Sequence, residues 1–347
     1  EISTRDWSSD VCSSDLNEHA YGLTGENPWW GDCTVPGDAS RLTGGSSSGA
    51  AASVLGGAAD VGLGTDTGGS LRVPASLCGL ASLRAPGWFA RHEGVRPLAP
   101  SFDALGWISR DVEGLANVAG RLRGEPVARV DAADVEVVLP DVGFLAECDG
   151  DVMAAWAGVR GEIEATGARV RIEAGDWLGR AAGLFGPLQA REAWRVHEQA
   201  MERDPGAFGD VVRQRLAWGR SIDATEENML RVEARAFRQA MREWMGTRRV
   251  LALPACAVTR LASGGDHVGA RGRILRLTTP ASVAGLPVVT QPLPWADATH
   301  PVGIQWIGRE NEEGFMVGWA ACMDRAWSGS RRGQHGQNAT RRSRGEG

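Results

Sequence analysis

Two serines stand 24 positions apart, each directly behind a pair of glycines: Ser46 after Gly44 and Gly45, and Ser70 after Gly68 and Gly69. Glycine pairs let the main chain approach a bound group closely and turn its N–H groups toward it. A serine behind such a pair has donors beside its own oxygen, which suits an acyl-transfer nucleophile next to an oxyanion hole. One such run alone reads as a linker. Two runs with a helical and a strand-like segment between them favour a site.

Composition narrows the classes. A chain of 347 residues with 43% apolar and 23% charged residues is that of a globular protein of one large or two ordinary domains. No run of 18 apolar residues occurs, so no membrane span is expected. The net charge of −6 speaks against a nucleic-acid surface. Six cysteines are scattered without a Cys-x-x-Cys pair and the six histidines form no ligand set, so no metal site is expected. All 37 basic residues are arginine, and lysine is absent.

Strand signals at 60–64, 80–83, 135–139, 169–172, 250–254, 288–293 and 302–307 alternate with helical ones at 49–56, 111–123, 150–166 and 310–325. Alternation of this kind implies an α/β core with both sheet faces covered. Ser47 and Ser48 are placed to cap the helix at 49–56, whose small residues allow close packing on a sheet. Residues 17–43 read as loops. The segment 177–246 reads as mostly helical, with breaks near Pro187, Pro205 and Ile222, and forms a cap inserted into one domain. Asp223 with Glu226 resembles a capping box. Residues 327–347, with five arginines, read as a disordered basic tail.

Residues 44–74 (GGSSSGAAASVLGGAADVGLGTDTGGSLRVP) resemble the signature stretch of the amidase signature family, and 17–28, 78–80 and 286–308 look like its flanks. The resemblance covers roughly residues 17–326. It implies a large mixed β-sheet covered by helices on both faces, no cofactor, and a cytoplasmic amidase acting on a small-molecule amide. No nucleic-acid or membrane partner is implied, and a homodimer is left open. Carried over by position, Ser70 matches the acyl-forming nucleophile and Ser46 the relaying serine in a cis peptide. Thr67, Gly68 and Gly69, with the Ser70 N–H, match the oxyanion loop. Gly45, Ser47, Asp66 and Arg72 support it, Asp66 by bracing the loop and Arg72 by pairing with a carboxylate. Trp29, Trp30, Trp88 and Trp107 are candidates for an apolar acyl pocket or for core packing.

The family's relay ends on a neutral lysine, and this chain has none. Arginine cannot replace it, because guanidinium stays protonated. Residues 1–16 (EISTRDWSSDVCSSDL) resemble a translated sequencing adapter joined to a truncated gene and are set aside as a non-native leader. Little or no turnover is therefore expected. Rival readings remain. A Ser–His–Asp hydrolase lacks its Gly-x-Ser-x-Gly elbow, and a phosphate loop lacks its lysine. The glutaminase-type component of a tRNA-dependent amidotransferase and a non-catalytic ligand-binding protein both stay open.

Overall fold

The computed structural model describes residues 17–88 and 94–343, with side chains as far as residue 328. After a single 3-10 turn at Glu18–Ala20 comes a short hairpin, β1 (Thr34–Val35) and β2 (Asp38–Leu42), where loops alone were expected. Gly37, with φ at +86°, makes the turn that two so short strands need. Helix α1 (Ser48–Leu55) follows, then β3 (Val61–Thr65), α2 (Arg72–Cys78), β4 (Ala81–Arg84), β5 (Leu105–Ser109), α3 (Val112–Arg123) and β6 (Glu136–Pro140).

Asp111 caps α3 by accepting the N–H of Gly114, and left-handed Gly124 ends it. The segment 150–166 forms two helices, α4 (Gly150–Trp156) and α5 (Val159–Glu164), parted at Ala157 and Gly158. Then come β7 (Arg169–Glu173), α6 (Asp176–Arg203), α7 (Asp210–Ser221), α8 (Ala224–Met245), β8 (Arg249–Pro254), α9 (Val268–Ala284), β9 (Val288–Pro292), β10 (Gly303–Ile307) and α10 (Glu313–Ser343).

Eight strands form one mixed sheet in the order β3-β5-β4-β9-β10-β8-β6-β7. Neighbours are antiparallel from β3 to β8, while β6 pairs parallel with β8 and β7. The expected mixed sheet flanked by helices is thus present. Its central strands β8, β9 and β10 are buried almost throughout, as their near-continuous apolar runs require. Val288, Val289, Ile304 and Trp306 lie in the main core with Trp319 and Met323 of α10. A smaller cluster joins Ala50, Ala51 and Val54 of α1 to Leu71, Ala75 and Cys78.

Several local expectations are corrected. Pro187 lies inside α6 rather than breaking it. It forfeits one helical hydrogen bond, but buried Leu184, Phe185 and Leu188 hold both sides of the helix in the core. Ser47 stands at the cap position of α1 without a side-chain cap bond: its Oγ donates to the Thr65 carbonyl (3.2 Å), and Ser48 Oγ to that of Gly44 (2.8 Å). Helix α10 runs to Ser343, across most of the segment where composition predicts a tail. Its last described buried anchor is Trp327. The Asp223 side chain does cap α8, accepting the N–H groups of Thr225 and Glu226.

Candidate active site

The two Gly-Gly-Ser turns are in contact. The Ser47 N–H donates to the Ser70 carbonyl at 3.1 Å. Ser46, Ser47 and Ser48 are fully buried and Ser70 is 3% exposed. The Gly45–Ser46 peptide is cis. The Gly45 N–H donates to the Leu23 carbonyl (3.0 Å), and a side chain at Gly45 would overlap the Asn17 amide. The segment starting at Asn17 is therefore packed directly on the first serine turn.

Asp66 organises the second turn. Its Oδ1 accepts the Gly69 N–H (2.9 Å), and its Oδ2 accepts those of Leu71 (3.1 Å) and Arg72 (3.4 Å). The Arg72 guanidinium closes on both oxygens (2.8 and 3.0 Å), and Arg84 Nε stands 3.4 Å from Oδ1. Burial pushes the Asp66 carboxyl up, but Arg72, the hydrogen bonds and Arg84 outweigh it and hold the group down at about 2. Burial also lowers Arg84 to about 10 against the pull of Asp66. Arg72 reaches on to the Thr278 carbonyl (2.7 Å), Gln305 Oε1 (3.0 Å) and Ser282 Oγ (2.9 Å), tying the turn to α9 and β10.

This bracing revises the oxyanion set carried over from the resemblance. The Gly69 N–H is spent on Asp66, because a buried carboxylate must collect donors. Among the described residues the N–H groups of Thr67, Gly68 and Ser70 meet no acceptor. Thr278 fixes the loop from above, its Oγ1 donating to the Gly68 carbonyl (2.6 Å). A Cβ at Gly68 would lie 2.6 Å from Phe185 of α6, so that part of the helical segment does press on the turn. Thr67 Oγ1 donates to Asp103 (2.6 Å).

Ser46 Oγ is buried and has no hydrogen-bond partner. No described group of His, Cys, Asp and Glu could hold a metal ion, and no described helix is long and apolar enough to cross a membrane. Trp107 is core, stacked on half-buried Trp88 (6.0 Å), whereas Trp29 and Trp30 are exposed. Trp29 lines a cleft of about 610 Å³ between the 17–32 segment and residues 206–215. Cys78 lies under the turns, its thiol pushed up to about 12 by burial.

The sequence reading missed Thr278 and Ser282 because it missed α9. That helix carries Pro280, two glycines in its first turns and no side-chain cap. Apolar residues at 274, 275, 277 and 281 were the signal left to find it.

The amidase family profile matches residues 10–144. AtzE, a component of the 1-carboxybiuret hydrolase of Pseudomonas sp. (strain ADP), is 29% identical over 87% of this chain and 70% of that protein. The GatA-type component of the glutamyl-tRNA(Gln) amidotransferase of Symbiobacterium thermophilum is 29% identical over 89% of this chain and 72% of its own. A crystal structure of an amidase superposes with a TM-score of 0.82 at 29% identity, covering 91% of this chain and 73% of the other. Residues 10–144 thus match the amidase family, and over most of its length the chain is similar to amide-hydrolysing enzymes.

Proposed function

We propose that this protein cleaves the amide of a small molecule through an acyl-enzyme on Ser70. The Ser70 hydroxyl attacks the carbonyl, and its proton passes to Ser46, whose Oγ closes on Ser70 from the unbonded position it holds here. The N–H groups of Thr67, Gly68 and Ser70 take up the charge on oxygen, each such donor being worth about 3 kcal/mol. The amine leaves with a proton returned through Ser46, and water then releases the acid. The observation that carries this reading is the Thr67–Ser70 turn: three N–H groups unspent while Asp66 and Thr278 hold the rest of it rigid.

Ser46 needs an acceptor of its own. Its orphaned Oγ is where a base would connect, and no residue of this sequence is a lysine. A protein made of these residues alone is expected to take a serine-directed fluorophosphonate at Ser70 slowly and to hydrolyse amides little. Mass spectrometry of the labelled chain and of Ser70→Ala tests it. Labelling elsewhere, or labelling that survives Ser70→Ala, overturns the nucleophile. An ordinary turnover rate overturns the need for a further base.

The similarity to a component of a glutamyl-tRNA(Gln) amidotransferase over 89% of the chain favours a second reading, release of ammonia from glutamine within a complex. Co-purification with partner proteins and glutamine hydrolysis only in their presence would establish it. On the first reading the protein works in the cytoplasm, alone or as a homodimer, without a cofactor.

A further inference from the structure

Strand β7 is the last of the sheet and pairs on one side only, with β6. In that parallel pair the Arg169 N–H donates to the Val135 carbonyl, and the Glu173 carbonyl accepts the Asp141 N–H. Main-chain direction alternates along a strand, so Arg169, Arg171 and Glu173 turn their N–H and C=O groups to β6 while Val170 and Ile172 turn theirs outward. Among the described residues no hydrogen bond reaches those outward groups.

Side chains alternate as well. Val170 packs against the core, and Ile172, on the same face, is 51% exposed. Val142, 72% exposed, follows Asp141 and so stands near the end of the same edge. On the opposite face Arg171 pairs with Glu173 at 2.6 Å. An edge strand without proline or bulge is a template for another strand, and charge commonly guards against it. Here the charges change sign along the strand, so they select a partner instead. With an antiparallel copy set so that Ile172 lies on the two-fold axis, Arg171 of each copy stands opposite Glu173 of the other. These are the close positions, while the two Ile172 residues exchange both of their N–H···O bonds. Setting Arg171 on the axis would oppose it to itself.

We propose that β7 is an interface between two copies of this chain, joining their eight-stranded sheets into one across a two-fold axis through Ile172. The inference goes beyond the amide-hydrolase reading and does not depend on it. Strand β3, which leads into the Asp66–Ser70 turn, is at the other end of the sheet, so pairing at β7 leaves the serine turns untouched.

Sedimentation velocity of the full chain over a concentration series tests it, with a dimer expected at about 10 μM. Ile172→Pro removes the outward donor and no bond to β6, and should weaken the dimer by about tenfold or more. Arg171→Glu and Glu173→Arg each place like charges opposite one another and should do the same. The double swap restores opposite charges and should recover most of the loss. Val232→Glu, on an exposed position of α8, should leave the dimer within about twofold. Circular dichroism checks that each variant is folded. A monomer up to about 100 μM, a dimer indifferent to Ile172→Pro, equal loss in Val232→Glu, or a double swap as weak as its singles overturns the interface. So does purification with a different protein bound that Ile172→Pro releases, which would give the edge to another partner.

Discussion

The main-chain N–H of Ser47 donates to the carbonyl of Ser70 at 3.1 Å, joining two turns that lie 23 residues apart in the chain. The bond uses only backbone, so it sets the register of the turns without consuming either candidate hydroxyl. It also separates the three neighbouring serines by their roles.

The first prediction follows from that separation. Ser70→Ala should abolish fluorophosphonate labelling. Ser46→Ala should slow it by about 100-fold and yet stabilise the fold by about 1 kcal/mol, because it removes a buried hydroxyl with no partner. Ser47→Ala gives up the bond to Thr65, should cost about 1 kcal/mol, and should leave labelling within a few-fold. Urea melts together with labelling rates read both effects. A Ser46→Ala variant that is destabilised would mean that its hydroxyl is bonded in solution.

A second prediction concerns Asp66, whose carboxylate is fully buried between Arg72 and Arg84. Its folded value of about 2 lies below the ordinary 3.8. The unfolded chain therefore takes up a proton first, and stability rises with pH across this window. The contribution is complete above about 4, amounts to about 2 kcal/mol, and is lost as pH falls toward 2. Asp66→Asn leaves two buried guanidiniums uncompensated and should cost about 3–5 kcal/mol at neutral pH. It should also flatten the acid limb of the stability profile. An acid limb of unchanged slope in Asp66→Asn would assign it to other carboxylates.

Much of this architecture was legible in the sequence. The strands over 135–139, 250–254, 288–293 and 302–307 announced themselves as short β-branched or leucine-rich runs, and all lie within a strand or two of the sheet centre. Asp223 marked a helix start by capping chemistry that acts locally. What escaped was decided at long range. Helix α9 has poor local signals and is held by contacts of Thr278 and Ser282 with residues over 200 positions away. The role of Gly69 was misassigned for the same kind of reason: only the folded turn shows that Asp66 claims its N–H. Pro187 reads as a breaker by propensity, yet tertiary packing of α6 overrides it.

Gly68 and Phe185 make a third prediction. A methyl group at Gly68 would sit 2.6 Å from Phe185 Cζ and 2.9 Å from its Cε1. Gly68→Ala should therefore displace the turn and cut Ser70 labelling by about 100-fold. Phe185→Ala alone should cost about 3–5 kcal/mol, since that ring is fully buried. In the double variant the clash is gone, and labelling should recover by about tenfold over Gly68→Ala. Recovery isolates steric displacement of the turn from any need for glycine at that position.

The last prediction concerns His197 of α6, 1% exposed, in contact with the rings of His19 (centroids 4.7 Å apart) and Phe208. Its Nδ1 lies 3.3 Å from Arg96 Nη2, and a guanidinium can only donate, so that nitrogen is the acceptor of a neutral ring. The proton is then on Nε2, which is buried without a partner. Burial first, then His19 and Arg96, lower the group to about 4 from an ordinary 6.5. Since the unfolded chain binds the proton more readily, the fold's advantage is whole above 6.5 and drains away as pH falls from there to about 4. Removing the imidazole removes that dependence together with an unsatisfied donor. His197→Leu should accordingly melt with a shallower pH dependence between 4 and 6.5 than the parent, and the difference between the two curves should level off above neutrality. A parent whose stability instead falls as pH rises through this window would mean that the ring is held protonated, and with it that Arg96 is turned away from Nδ1.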